Sequence, residues 1–208
     1  MESEKLAVLN EFGDRLGVAS RSEVHEMGYW HETFHCWLAH RVENSQEIYI
    51  YFQLRSDDKK DFPSLLDITA AGHILYDEKI EDGVREVHEE LGITVTFEEL
   101  QPLGIVKGEL VQEAMIDREF THVFLYSEQV AYDEFELDPD EVSGIFRSTL
   151  ADFKALVTHE KKEMDIEGFI VHSSGDRECI QKKAEYRHFV PHERSYLLDI
   201  IERISTHV

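Results

Sequence analysis

Glu86, Glu89 and Glu90 lie in the run GHILYDEKIEDGVREVHEELGI, residues 72–93. Spaced at i, i+3 and i+4, their carboxylates share one face of any helix that contains them. Like charges so placed cost a solvated helix about 0.2–0.5 kcal/mol per pair, and more in an enclosed site, so the natural counter-charge is an oxygen-seeking divalent cation. Mg²⁺ or Mn²⁺ takes hard oxygen ligands in near-octahedral geometry and keeps some water, which leaves positions for a phosphoryl oxygen and an attacking water. Such a metal polarises the phosphoryl group and makes its bound water more acidic. Arg85 cannot ligate a cation, because a guanidinium only donates, and its expected role is to hold a neighbouring carboxylate through paired hydrogen bonds. Gly72 is expected where backbone approaches the site too closely for a side chain.

The elements that must position these residues are legible in outline. Ile80, Val84, Val87 and Leu91 recur at helical spacing and supply an apolar stripe opposite the charged flank, with Gly92 as the stop. Ahead of this helix, residues 6–24 read as a hairpin turning at Phe12-Gly13-Asp14. FHCWLAHRV (34–42) and EIYIYFQLR (47–55) read as a second strand pair. SDDKKDFP (56–63) is a charged loop, and LLDITAAGHIL leads from it into the glycine turn. After the helix, ITVTFEEL, LGIVKGEL and REFTHVFLYS read as strands, as does Val142 to Phe146. Helices are expected to fill the tail, over 149–159 and over 191–204, the latter opening with Pro191 near its first turn. The expected organisation is one α+β domain over residues 1–208, with a mostly antiparallel sheet and a helical portion from about 149 to 208.

Composition bounds the partner. Lys and Arg total 21 against 44 Asp and Glu, a formal net charge of -23, which argues against gripping a nucleic-acid backbone and for a small ligand reached through metal ions and a few local cations. Arg55, Lys59 and Lys60 are the main basic residues ahead of the helix and are candidates to meet substrate phosphates. Cys36 and Cys179 offer neither a disulfide framework nor a metal-binding pair. With no signal-like or membrane-spanning stretch, a cytoplasmic protein is the expectation, and a homodimer is left open.

The run resembles the Nudix box, G-x5-E-x7-R-E-U-x-E-E-x-G-U with U a bulky aliphatic residue. Gly72, Glu78, Arg85, Glu86, Val87, Glu89, Glu90, Gly92 and Ile93 match it in order, but only six residues separate Glu78 from Arg85 where the pattern has seven. The resemblance implies the Nudix fold, a sheet sandwiched by helices with a loop-helix-loop catalytic motif. It also implies a MutT-like, metal-dependent hydrolase that cleaves a diphosphate linked to another moiety by substitution at phosphorus. Glu86, Glu89 and Glu90 would bind the metal, Arg85 would pair with Glu78, and Gly72 and His73 would line the site beside the substrate.

VHEMGYWHETFHCWL (24–38), QLRSDDKKDFP (53–63), AAGH (70–73) and DREFTHVF (117–124) resemble blocks of the branch that includes isopentenyl-diphosphate isomerase and its hydrolase relatives. That resemblance aligns His25, His31 and His73 with metal-binding histidines and Glu119 with a metal-binding acid, so a second cation site is implied. Where the isomerases carry a catalytic cysteine this chain has Ala71, and a methyl group cannot carry the proton that double-bond migration requires. Alternation in the 118–127 strand places Glu119 with Thr121, opposite Phe120, as a ligand or general base, and Glu141 is a second base candidate. The leading expectation is thus hydrolysis of a small organic diphosphate of nucleoside or cofactor type. An isomerase-like enzyme and a non-catalytic sensor of a phosphorylated ligand are the alternatives.

Overall fold

A computed structural model describes residues 4–112 and 115–208 of the chain. Among the described residues, β1 (Lys5–Leu9) and β2 (Arg15–Ser20) form the first hairpin, followed by helix α1 (Arg21–Met27). Strands β3 (Trp30–Arg41), β4 (Ile48–Arg55), β5 (Leu66–Asp67) and β6 (Ala70–His73) lead to a 3₁₀ turn over Ile80–Val84 and helix α2 (Arg85–Leu91). Next come β7 (Gln101–Gln112), β8 (Met115–Tyr126), β9 (Val142–Thr149), α3 (Leu150–Val157), β10 (Glu163–Val171), β11 (Arg177–Glu185) and α4 (Arg194–His207). The sheet runs β11-β10-β9-β4-β3-β1-β2, with β5 on β4, β6 on β3, and β7 reaching β3 through β8. All pairings are antiparallel except β3 with β8, so the expected α+β class with a mostly antiparallel sheet holds.

The sheet forks along β3, and the fork makes the cleft. Thr33 to Cys36 pair with β6, whereas Ala39 to Arg41 pair with β4. At the branch the Thr69 hydroxyl accepts from Leu38 N at 3.0 Å and donates to Tyr51 O at 2.7 Å, so the amide and carbonyl there are satisfied without a strand partner. Alternate residues of β3 face opposite cores. Phe34, Cys36 and Leu38 join Val87 and Leu91 of α2, while Trp37 and Ala39 join Phe153 of α3 and Leu197 and Ile200 of α4. The helices therefore cover both faces of the sheet. On the second face, the part of β3 ahead of Trp37 is left as the floor of a cleft.

Four local expectations are corrected. The first hairpin ends at Ser20, whose hydroxyl accepts from Glu23 N at 3.3 Å and starts α1 over residues read as strand, with Gly28 closing it in the left-handed region. ITVTFEEL is not a strand. Thr96 and Glu99 form a capping box for a short 3₁₀ turn, Phe97–Glu99, and Ile93 and Val95 are buried without a sheet partner. The tail is not helical throughout: β10 and β11 intervene, with Met164, Ile166 and Phe169 facing the cores and the turn at Ser174-Gly175-Asp176 joining the strands. Pro191 lies ahead of α4 rather than in it, since Glu193 occupies the cap position. Among the described residues no helix is long and apolar enough to cross a membrane.

Candidate active site and metal centres

Arg85, the first residue of α2, gathers the box. It donates to both carboxylate oxygens of Glu78, from Nε at 2.7 Å and Nη2 at 3.1 Å, and to His73 O at 3.0 Å. Its Nη1 reaches Glu86 at 2.5 Å and Glu89 at 3.0 Å. Glu78 also accepts from Leu75 N at 2.8 Å, which anchors the loop. The interval that is one residue short therefore still closes this ion pair, with the tightly wound 3₁₀ turn Ile80–Val84 feeding straight into α2.

Gly72 and Glu86 are in direct contact. A Cβ on Gly72 would lie 2.1 Å from the Glu86 carboxyl carbon, so the absent side chain is the space the carboxylate occupies. Glu90 is buried and accepts from Ala71 N at 3.0 Å and from Gln53 Nε2 at 3.3 Å, while Glu89 projects outward with 56% of its side chain exposed. Burial lifts the Glu86 carboxyl to about 7, Arg85 opposing and Glu89 adding to the shift. Burial, reinforced by Glu86, also lifts Glu90 well above the usual carboxylate range. Carboxylates so poised accept their full charge only beside a cation, which makes the set a fit for a divalent ion.

A second cluster sits on the cleft floor. His25 of α1, His31 of β3 and His73 of β6 place their ring centroids 5.2–5.3 Å apart. Asp117 and Glu119 face them from β8, which runs parallel to β3 with His31 opposite Glu119. His31 Nε2 lies 3.5 Å from Asp117 Oδ1 and 4.0 Å from Glu119 Oε1, and His25 Nε2 lies 3.6 Å from Asp117 Oδ1. His25 Nε2, His31 Nε2 and Asp117 Oδ1 are buried with no hydrogen-bond partner. Burial lowers His31 to about 4 and His73 well below its usual value, leaving neutral rings, and raises Asp117 to about 6 and Glu119 well above the usual carboxylate range. Neutral imidazoles and uncompensated carboxyls gathered in two overlapping groups around His31 are donors that fit a metal ion.

Both clusters open into one cleft of about 930 Å³. Arg55, Lys59, Gly72, His73, Glu119 and Glu141 line it together with the box residues, whereas Lys60, an exposed residue, is not among its lining. Arg55 is already committed. It donates to Asp67 at 2.9 Å and to Asp61 O at 2.9 and 3.2 Å, so its guanidinium braces the loop instead of standing free for phosphate. Lys59 pairs with Glu141, whose carbonyl accepts from Ser56 N on the adjoining loop. Glu119 shares a face with Thr121, which donates to it at 3.2 Å, while Phe120 packs on Trp30 and is half-buried. Sequence reasoning missed Asp117, His35, Asp67, His192 and Tyr196. Only Asp117 carried a local signal, two residues before Glu119 on one strand.

The NUDIX domain model matches residues 14–167. An uncharacterized Nudix hydrolase of Clostridium acetobutylicum is 39% identical over 196 residues, 94% of each chain. An isopentenyl-diphosphate Delta-isomerase of Aliivibrio fischeri is 29% identical over 147 residues, 69% of this chain and 78% of the isomerase, in keeping with the blocks around the box. The solved structure of a Deinococcus radiodurans protein, 19% identical, superposes with a TM-score of 0.57 over 76% of this chain and 91% of the other, and so shares the fold. With the box assembled around Arg85 and the family model spanning most of its length, this chain belongs to the Nudix family, as a hydrolase acting on pyrophosphate bonds.

Proposed function

We propose that the chain hydrolyses a phosphoanhydride bond of a small organic diphosphate by attack of water at phosphorus, with divalent metal ions bound in the cleft. The observation that carries this reading is the packing of Glu86 on Gly72 with the buried Glu90 beside it, neighbouring carboxylates of which Arg85 meets only Glu86, so that a further cation is needed to balance the pair. Glu86, Glu89 and Glu90 would hold Mg²⁺ or Mn²⁺. His25, His31, His73, Asp117 and Glu119 would hold a second ion, and their nitrogen-rich set suits a transition metal better than magnesium. When bound, these ions supply polarisation of the phosphoryl oxygens and acidify water.

The residues divide the remaining work. Arg85 fixes the orientation of Glu86 and Glu89, as Glu78 fixes Arg85. Glu119 and Glu141 stand in the cleft as carboxylates that can take the proton of the attacking water. Lys59, paired with Glu141, is among the cations of the lining that could meet a substrate phosphate there. Ala71 offers only its amide, which is spent on Glu90, so isomerase chemistry has no proton carrier at that position. The reading implies a soluble small-molecule substrate in the cytoplasm rather than nucleic acid.

The test is release of phosphate or monophosphate from a panel of diphosphates with Mg²⁺ and with Mn²⁺. Glu89→Gln and Glu90→Gln should each lower kcat by about a hundredfold or more on the best substrate. Turnover at the parental rate in both variants overturns the assignment.

A further inference from the structure

Beyond the box, the cleft reaches a polar corner that neither the metal-binding sets nor the proposed hydrolysis uses. Asp67 of β5 lies opposite Gln53 of β4, the residue that donates to Glu90, so this corner is one strand pair from the box. Asp67 accepts from Ile68 N at 2.8 Å, from Arg55 at 2.9 Å and from His192 Nε2 at 2.7 Å. Burial opposes its charge, yet His192, Arg55 and the Ile68 amide hold its carboxyl down to about 2. An ionised carboxylate only accepts, so His192 carries its proton on Nε2. In the neutral ring Nδ1 is then an acceptor, and among the described residues it has no hydrogen-bond partner along the cleft wall that His192 lines.

His35 is set from the other side. Trp37 Nε1, which can only donate, reaches Tyr196 Oη at 3.2 Å, and the proton of that hydroxyl has His35 Nδ1 at 2.8 Å as its acceptor. His35 therefore bears its proton on Nε2. That nitrogen stops 4.0 Å from Glu119 Oε2, beyond hydrogen-bond reach, on a side chain only 9% exposed. A buried donor and a held acceptor thus face the same cleft, with ring centroids 6.2 Å apart.

We propose that His35 and His192 form a hydroxyl-recognition site that selects diphosphates whose organic moiety carries an alcohol, His35 Nε2–H donating to its oxygen and His192 Nδ1 accepting its proton. This rests on the hydrolase reading above and names the substrate class for the same cleft. A hydroxyl is donor and acceptor at once, so a single such group beside the two neighbouring rings answers a donor and an acceptor together. A plain alkyl group leaves both nitrogens unpaired, and a fully ionised phosphate has no proton to give His192. His192 and Tyr196 lie beyond the matched residues 14–167, so one of the two selecting groups, and the hydroxyl that orients the other, come from the chain's own tail.

The test uses the full chain with Mg²⁺ and two probes, ribose 5-diphosphate and pentyl diphosphate. It compares kcat/KM for the two, and calorimetric Kd for their methylene-bridged analogues. The parent should favour the ribose compound at least tenfold in both measurements. In His192→Ala and Asp67→Asn the preference should fall to within about threefold, and His192→Gln, which keeps an acceptor, should recover part of it. A parent that turns over both probes equally, or a His192→Ala protein that keeps the preference, overturns the inference while leaving hydrolysis intact. A tenfold binding preference without turnover of any diphosphate supports the site and overturns the hydrolase reading instead.

Discussion

Replacing Gly72 by alanine tests the core of the site with a single methyl group. The new Cβ would fall 2.1 Å from the Glu86 carboxyl carbon and Oε1, and 2.6 Å from Oε2, with no backbone atom among its nearest neighbours. Those atoms end a flexible side chain, so the carboxylate can swing aside by about 1 Å or more to regain ordinary contact without moving β6 or α2. Little folding free energy is at stake, roughly 1 kcal/mol or less for a new Glu86 rotamer. Activity is another matter, because a displacement near 1 Å in a catalytic constellation costs about a hundredfold in rate. Gly92→Ala is the contrasting control. Gly92 has φ of +71°, and its Cβ would lie 2.6 Å from Glu136 O and 2.9 Å from Glu136 Cα, where backbone must shift. That variant should lose about 1–2 kcal/mol or more in chemical denaturation. Urea titrations and diphosphate hydrolysis with Mg²⁺ on both proteins separate the two effects. A Gly72→Ala protein with kcat within threefold of the parent and undiminished Mg²⁺ affinity would refute the argument that Glu86 must sit where the glycine leaves room.

Arg85→Lys keeps the charge but loses the fork that spans Glu78, Glu86 and Glu89, so kcat should fall by about a hundredfold with less change in KM, as measured by steady-state kinetics. After dialysis against Mg²⁺ buffer, the parent should retain about one equivalent of Mn, Fe or Zn by mass spectrometry, and His31→Gln should retain none; equal retention would show that the histidine cluster is not a metal centre. The Asp67 carboxyl is held at about 2 against an ordinary 3.8. A folded value below the unfolded one stabilises above the unfolded pKa and is lost as pH falls through the folded one, so this group contributes about 2 kcal/mol at neutral pH that disappears between pH 4 and 2. Asp67→Asn should trail the parent by that amount in denaturation at pH 7, with the gap narrowing steadily toward pH 2.

The box was legible because its information is local. One helix of seven residues carries Arg85, Glu86, Glu89 and Glu90 at fixed angular offsets, and the 3.6-residue period places them together whatever surrounds them. The strands from Trp30 to Arg55 and from Gln101 to Tyr126 were readable for a similar reason, through runs of aromatic and β-branched residues. Where local signals competed, the reading failed. The apolar alternation of Ile93 and Val95 looked like a strand, but no neighbouring strand offered them hydrogen bonds, and the tail's β10–β11 hairpin joins the sheet through β9, a pairing between distant segments.

The amino-acid order by itself determined the identity of the box, the acidity of the chain and the loss of the isomerase cysteine at Ala71, since each is a matter of residue type and short spacing. Tertiary structure decided whether Glu78 meets Arg85 across an interval that is one residue short. It also decided that Arg55 braces Asp67, and that His25, His31, His73, Asp117 and Glu119 converge from α1, β3, β6 and β8. The physical reason is the fork in the sheet: a cleft walled by β3, β4, β6, β8 and the start of α4 unites residues far apart in the chain, such as His35 and Tyr196, 161 positions from each other. No periodicity within any one segment encodes that meeting.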